Sequence, residues 1–183
     1  MPSLAPTSST PAPQPELLKF FFSDDGAIPN NPTLPVLVYK RALTAASPSA
    51  LADLIESTYA KHHWRAAWRW GVYDFPHYHS TAHEVLGCYR GSATLQLGGK
   101  DGIKFVIEPG DIVVLPAGTG HQNLGASDDF HVCGGYPAGQ TADLLRGNPD
   151  ERPASLKNIK AVPLPKSDPV LGEAGPLMTE WNR

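Results

Sequence analysis

From Trp64 to Pro137 the sequence alternates short runs rich in β-branched and aromatic residues with turns that contain glycine or proline. The runs include SATLQLGG, IKFVIE and DIVVLP, and the turns include RGS, GGKDG, EPGD and PAGTG. In IKFVIE the apolar residues Ile103, Phe105 and Ile107 alternate with other residues, as in a strand with one buried face. Short strands at this spacing predict an antiparallel sandwich or barrel, so the predicted fold class is all-β.

One flanking helix is predicted, over residues 47–62. Ser47 can cap its N-terminus, and Pro48 suits the first helical position because the N–H that proline lacks has no partner there. Its apolar face should pack on the outside of the sheet and is formed by Leu51, Leu54, Ile55 and Tyr59. A strand is also predicted at residues 36–39, at an edge of the sheet because prolines precede it.

Composition divides the chain into four parts. Residues 1–15, MPSLAPTSSTPAPQP, are predicted to be a disordered tail because they carry little apolar surface. Residues 16–63 hold the predicted strand and helix that pack on the barrel, and residues 64–137 form its core. Residues 138–183 are predicted to be a proline-rich extension that lies on the surface as extended chain, apart from a short possible helix, GQTADLLRG. Side chains of this extension that could dock into grooves or onto a second subunit are Leu164, Val170, Leu177 and Trp181.

Length, charge and cysteine content limit the class of protein. The chain has 183 residues, which fits one domain with extensions, and a formal net charge of −3 without a long run of like charge, which argues against a nucleic-acid binder. Cys88 and Cys133 are expected to be buried thiols. Because no 18-residue apolar run and no signal-peptide pattern occur, no membrane span is expected and the predicted location is the cytoplasm.

The segment HYHSTAHEVLG contains three histidines and a glutamate. His77 and His79 are two residues apart, so in a strand they lie on the same face and can bind one metal ion together. Glu84 has the opposite parity to His77 and reaches the same ion only if the chain bends, for which the Ser-Thr pair after His79 is a plausible place. His83 would then point elsewhere.

A further candidate ligand, His121, follows the strand DIVVLP and the turn PAGTG. If this strand neighbours the first, His121 lies opposite His77 and His79. Three imidazoles and one carboxylate suit Fe, Mn, Ni, Cu, Co or Zn, and the ligands alone do not select among these metals. Ligands that project into a barrel leave positions open for water or substrate, as in catalytic sites. The alternative is a solvated patch of ordinary hydrogen-bonded histidines.

Two spaced motifs resemble those of the cupin superfamily. In the first, Gly71 is followed after five residues by His77-x-His79, after four more by Glu84 and after six more by Gly91. In the second, Gly110 is followed after five residues by Pro116-x-Gly118 and after two more by His121. One departure is Gly125, which stands where the family usually has an asparagine that is not a ligand.

More loosely, residues 16–183 resemble the YjlB-like single-domain cupins. The resemblance implies a small jelly-roll barrel and one divalent metal ion bound by His77, His79, Glu84 and His121. It implies no settled reaction, because cupins include dioxygenases, decarboxylases, isomerases, lyases and non-catalytic binders.

Other residues are candidates for the surroundings of this site. Tyr73 and Phe75 share the parity of His77 and could line the cavity mouth, although packing in the barrel core is the favoured interpretation. Gln96 could hold a substrate oxygen or a bound water. Tyr78 is predicted to point outward, toward solvent or a partner subunit. The role of His83 stays open between a residue supporting the ligands, a proton shuttle and a surface residue, and no catalytic residue is assigned.

The favoured functional hypothesis is a mononuclear metalloenzyme that acts on a small organic substrate, with oxygenase chemistry preferred. Non-redox isomerase or lyase chemistry is the alternative within the enzymes. The competing hypotheses are a non-catalytic protein that anchors a small molecule through the metal, and a barrel whose metal supports folding. A homodimer is predicted, since exposed edge strands favour pairing, and neither a nucleic-acid nor a membrane partner is expected.

Overall fold

The computed structural model describes residues 15–182. The strands in this range are β1 Glu16–Phe20, β2 Val36–Lys40, β3 Trp64–Trp70, β4 Glu84–Arg90, β5 Ala93–Leu97, β6 Ile103–Ile107, β7 Ile112–Leu115, β8 His121–Ala126 and β9 His131–Pro137. The α-helices are α1 Pro48–Lys61, α2 Arg152–Ala161 and α3 Pro176–Glu180, and a 3-10 turn at Pro149–Glu151 precedes α2. The tail predicted to be disordered lies outside the described residues except for Pro15. Within the described range no helix has the length and apolar character needed to cross a bilayer.

The strands form two antiparallel sheets. One sheet has six strands in the order β1-β2-β7-β4-β9-β3, and the other has three in the order β6-β5-β8. Every strand pairing in both sheets is antiparallel. The prediction of a mainly β, antiparallel architecture between residues 64 and 137 is therefore confirmed, including the half-buried strand β6 with its alternating burial.

Side chains along β4 alternate between the interior, which faces the three-stranded sheet, and the face covered by α1. Leu86 and Cys88 face the apolar cluster shared with the three-stranded sheet, whereas Val85 packs in the cluster formed with α1. Glu84 has the parity of Leu86 and therefore points to the interior. Gly87 has the parity of Val85, and a Cβ atom there would lie 2.6 Å from the Tyr59 hydroxyl oxygen. A glycine at this position thus allows α1 to approach the sheet closely.

Helix α1 confirms the predicted helix and its cap. The Ser47 hydroxyl oxygen accepts a hydrogen bond from the Ala50 N–H at 3.2 Å, and Pro48 occupies the first turn. Leu51, Ile55 and Tyr59 are buried against the six-stranded sheet, whereas Leu54 lies at the exposed margin of the predicted face. Cys88 and Cys133 are both buried, as predicted.

Strand β2 is not at an edge of the sheet. It lies between β1, which was not predicted, and β7. The prolines before β2 therefore mark the entry of an interior strand, since they precede Val36 and remove no hydrogen bond from the pairing.

The C-terminal segment differs most from the prediction. Residues 139–147 contain no helix, and two helices form further on. Both carry a proline in the first turn, where its missing N–H needs no partner, so these prolines begin helices instead of marking extended chain. Val170, Leu177 and Trp181 are buried in the cluster with α1, whereas Leu164 is exposed.

Candidate metal centre

The extended HYH segment is held on both sides by backbone pairing. His77 and His121 exchange hydrogen bonds, from the His77 N–H at 3.2 Å and from the His121 N–H at 2.9 Å. On the other side, Tyr78 and Leu145 exchange hydrogen bonds of 2.9 and 3.0 Å. The pairing with His121 brings the two imidazole centroids to 4.0 Å.

The chain bends at Ser80 and Thr81, and Asp143 holds the bend. The Asp143 carboxylate accepts hydrogen bonds from the Ser80 N–H at 2.6 Å, from the Ser80 hydroxyl and from the Thr81 N–H at 3.3 Å. In return, the Thr81 hydroxyl oxygen accepts from the Asp143 N–H at 3.0 Å. This bend turns the chain so that β4 begins with Glu84 pointing inward.

Glu84 faces the histidines with an oxygen that has no hydrogen-bond donor. Its Oε2 atom lies 3.0 Å from His121 Nε2 and 3.3 Å from His79 Nε2. Within residues 15–182 this buried oxygen has no hydrogen-bond partner. Burying a carboxylate oxygen without a hydrogen-bond donor costs free energy. A bound cation, or protons on the neighbouring imidazoles, would offset this cost.

Backbone carbonyls define which nitrogen of each histidine faces the centre. The Nδ1 atoms of His77 and His121 lie 3.1 Å from the carbonyl oxygens of Phe75 and Thr119, and Nδ1 of His79 contacts the carbonyl oxygen of Asp143. A carbonyl oxygen only accepts, so each neutral ring carries its proton on Nδ1 and its lone pair on Nε2. Histidines that bind metals in proteins are usually oriented in this way.

Burial and neighbouring charges set the protonation of these groups. Burial and the nearby His121 lower the pKa of His77 to about 3, which keeps its ring neutral. Burial alone would lower the pKa of His79, but the Glu84 carboxylate outweighs it and the pKa lies above its ordinary value. Burial would raise the pKa of Glu84, but His79 and His121 outweigh it and hold this pKa below its usual range. The carboxylate is therefore ionised among imidazoles.

These observations test whether a metal ion fits. His77, His79 and His121 are buried and their ligand atoms lie within 4.8 Å of one another, so the three side chains could bind one metal ion. With Nδ1–H donated to carbonyls, the Nε2 atoms of the neutral rings and Glu84 Oε2 are all acceptors that face one another. A cation among them would interact favourably with every one of these atoms. The four side chains therefore fit a metal ion as its ligands.

A cavity of about 370 Å³ opens beside these ligands. All four predicted ligands line it, together with apolar and aromatic side chains that include Trp68, Leu86 and Tyr136. Tyr73 also lines it. Phe75 does not line it, because its ring packs against the rings of Tyr73 and His77 at centroid distances of 4.7 and 5.6 Å.

Gln96 does not reach this cavity, which corrects the prediction. Along β5 the residues Ala93, Leu95 and Leu97 are buried in the interior, so Gln96 has outward parity. Its side-chain amide donates to the Gly99 carbonyl oxygen at 2.9 Å. Gln96 lines a different cavity, which also contains Lys100 and Arg146.

Tyr78 and His83 both point away from the centre and are both buried. Tyr78 points outward from the barrel, but α2 covers it and its hydroxyl donates to Ser155 Oγ at 3.1 Å, so it reaches neither solvent nor a partner. His83 Nδ1 accepts from the Ala117 N–H at 3.0 Å, and its ring lies 4.7 Å from that of Trp181. Burial lowers the pKa of His83 to about 4. His83 is thus not a surface residue.

The residues of the site that were missed from the sequence include Trp68, Tyr136 and Asp143. Pairing of β4 with β9 places Gly134 opposite Leu86, so Tyr136 has the parity of the interior face. A Cβ atom at Gly134 would lie 2.1 Å from the Trp68 ring, which shows that the glycine makes room for this indole. The Gly-Gly-Tyr run in β9 indicated that another group packs closely against this strand. Only the register of β9 with β4 shows which of these residues face the interior.

The fold and the site together define a mainly β protein of two antiparallel sheets with three buried histidines that could bind a metal ion. The chain is 42% identical to the uncharacterised protein YjlB of Bacillus subtilis (strain 168) over 166 residues. This alignment covers 91% of this chain and 97% of that protein. The chain therefore belongs to the YjlB family. A search of protein-family models found no match.

Two solved structures show weaker similarity. A DUF861 family protein from Thermotoga maritima is 26% identical with a TM-score of 0.32, over 54% of this chain and 96% of that one. Procruciferin, an 11S globulin from Brassica napus, is 13% identical with a TM-score of 0.34, over 72% of this chain and 27% of that one. TM-scores of this size do not establish a shared fold.

Proposed function

We propose that this chain is a metal-dependent cupin with a jelly-roll barrel, in which His77, His79, Glu84 and His121 bind one divalent metal ion. We further propose that it is a mononuclear metalloenzyme acting on a small organic substrate, with oxygenase chemistry favoured. The observation that carries the proposal is the convergence of three Nε2 lone pairs and a Glu84 oxygen without a hydrogen-bond donor. The spacing of the two sequence motifs supports the assignment to the cupins.

The residues of the chain have separate tasks in this proposal. The carbonyl groups of Phe75, Thr119 and Asp143 orient the imidazoles, so that little rearrangement is needed when the ion binds. A bound divalent metal would act as a Lewis acid on a substrate oxygen. The apolar walls offer water few hydrogen-bond partners in the space beside it, which strengthens electrostatic interactions there.

The direct test is elemental analysis of the protein purified without added metal, followed by anaerobic spectroscopy with candidate ligands. We expect about one divalent ion per chain, from among Fe, Mn, Ni, Zn, Co and Cu. Iron or manganese with oxygen consumption on a substrate panel would support an oxygenase. Zinc without oxygen consumption would support an isomerase, a lyase or a non-catalytic binder, and a chain that neither retains nor takes up metal would contradict the proposal.

Assembly and location are part of the same proposal. We expect a homodimer formed through an exposed strand edge, in the cytoplasm. Strands β1 and β3 end the six-stranded sheet and offer such edges. Light scattering that gives the mass of a single chain would contradict the dimer.

A further inference from the structure

The cavity beside the candidate metal centre has walls that select the chemistry of a ligand. Its inner wall carries Trp68, Val72 and Leu86. The exposed aromatic side chains Trp70 and Tyr73, 70% and 51% exposed, also line it and extend the apolar surface outward. Cavities that bind small molecules are mostly apolar with a few placed polar groups, and 370 Å³ is at the small end of their range.

Charge in the cavity argues against a polyanionic ligand. Of the residues that the structure describes, no lysine or arginine lines this space. The carboxylates on its wall belong to Glu84 and Asp143, and Asp143 is occupied by the Ser80 and Thr81 donors. A second negative charge on a ligand would therefore lose its hydration without gaining a cationic side chain.

Tyr136 supplies a hydrogen-bond donor. The Trp68 Nε1–H donates to the Tyr136 hydroxyl oxygen at 3.2 Å, and because an indole nitrogen only donates, Tyr136 is the acceptor. Among residues 15–182 no acceptor takes the Tyr136 O–H, which leaves this proton for a ligand. The Tyr136 ring lies 6.0 Å from that of His79, and Tyr136 lines the same cavity as the candidate ligands.

We propose that this cavity binds a small aromatic or similarly apolar molecule with at most one negative charge, held by one oxygen at the metal and by a hydrogen bond from Tyr136. Trp68 is a positioning residue, since it orients the Tyr136 hydroxyl and covers Gly134. The inference rests on the proposed metal site. It names the class of substrate, which the metal ligands alone leave open.

The test compares three probes on zinc-loaded protein by isothermal titration calorimetry. Benzoate carries one carboxylate and a ring, acetate keeps the carboxylate without the ring, and benzene-1,3-dicarboxylate adds a second charge to the ring. We expect benzoate to bind at least 10-fold more tightly than either of the others. Equal or tighter binding of acetate or of the dicarboxylate would overturn the inference.

Two variants test the hydrogen bond from the Tyr136 hydroxyl to the ligand. Tyr136→Phe should weaken benzoate binding by about 5-fold, the effect of one lost hydrogen bond, and leave the zinc stoichiometry unchanged. Tyr89→Phe is the matched control, because Tyr89 does not line this cavity and its hydroxyl takes part in no hydrogen bond within the described residues, so benzoate affinity should not change. Equal affinities of the Tyr136→Phe variant and the unaltered protein would refute the role of Tyr136.

Gly134→Ala tests the role of Trp68. The added methyl group must displace the indole, which forms the apolar wall and orients the Tyr136 hydroxyl, so benzoate affinity should fall while zinc stoichiometry stays the same. Unchanged benzoate affinity would contradict the assignment of this wall. Zinc titration separates the two proposals: absence of zinc binding refutes the proposed function, whereas zinc binding without preference for benzoate refutes this inference alone.

Discussion

Asp168 and Glu84 are both buried carboxylates, but their oxygens face different partners. Asp168 Oδ1 accepts from the N–H groups of Val170 and Leu171 at 2.8 and 3.0 Å. Its Oδ2 accepts from the Leu177 N–H at 3.1 Å and from the Tyr39 hydroxyl. Glu84 Oε2 has only imidazole nitrogens beside it and no donor among the described residues.

The difference separates a structural site from a candidate metal site. The chain itself satisfies Asp168, which ties the C-terminal segment to β2 and leaves nothing for a ligand to contribute. Glu84 is oriented by strand β4 and faces imidazoles whose Nδ1 atoms contact backbone carbonyls, so a bound cation could supply the partner that its Oε2 lacks. Stability should therefore depend on Asp168, and metal binding on Glu84.

The largest expected effect is on stability, from Asp168→Ala. Four donors lose their acceptor, and each buried donor without a partner costs about 1–3 kcal/mol, so we expect a loss of at least about 4 kcal/mol in the free energy of unfolding. Urea denaturation of the metal-free protein measures it. Tyr39→Phe, which removes one of these donors, should cost about 1 kcal/mol. Zinc stoichiometry of the folded fraction should not change, and its loss would remove the distinction between the two carboxylates.

The next effect is on metal affinity, from Glu84→Gln. Loss of the charged ligand should lower the affinity by about 100-fold or more, since even residues that only support ligands contribute 10- to 100-fold. The free energy of unfolding of the metal-free protein should change by less than about 1 kcal/mol, because the carboxylate oxygen makes no hydrogen bond that the amide would lose. Competition with a chromogenic chelator measures the affinity.

The exposed Glu108→Gln is the control for that substitution, and its metal affinity should equal that of the unaltered protein. Full metal retention by the Glu84→Gln variant would show that Glu84 is not a ligand.

A smaller effect is expected from Asp143→Ala. The bend at Ser80 and Thr81 loses its carboxylate acceptor, while the Asp143 carbonyl that orients His79 remains in the chain. We expect metal affinity to fall by about 10-fold, as for other groups that orient ligands. The same chelator competition measures it, with the exposed Asp150→Ala as control. A decrease as large as that for Glu84→Gln would place Asp143 among the ligands themselves.

The smallest effect is expected from His83→Asn, next to Glu84 in sequence. The Asn side-chain oxygen can replace Nδ1 as acceptor for the Ala117 N–H, so only ring packing against Trp181 is lost. The free energy of unfolding should fall by about 1 kcal/mol, with metal affinity unchanged. Thermal unfolding and metal titration check both, and His63→Asn at an exposed position is the control. Weakened metal binding would extend the functional site to His83.

Local signals in the sequence predicted the elements with the strongest periodicity. The cap at Ser47 and the spacing of Leu51, Ile55 and Tyr59 were sufficient for α1, because these features lie within one element. The alternation in IKFVIE was likewise sufficient for β6. The two C-terminal helices were missed, because their prolines were interpreted as breaks although they stand in first turns.

Pairing between distant segments decided the features that were predicted wrongly. The edge position expected for β2 depended on whether β1 would pair with it, and the exposure of Tyr78 on whether α2 would cover it. Neither is encoded in the local pattern around these residues. For the same reason the interior face of β9, and with it Tyr136, could not be assigned before its register with β4 was known.

The sequence by itself determined the candidate ligands, since the parity of His77 and His79, the bend before Glu84 and the turn before His121 are properties of short segments. The tertiary structure decided how those ligands are prepared: which carbonyl orients each imidazole, which oxygen of Glu84 has no donor, and which walls enclose the cavity. The physical reason is that hydrogen bonds and burial at this centre join residues from Trp68 to Asp143, and only strand register and the docking of the C-terminal segment bring these residues together.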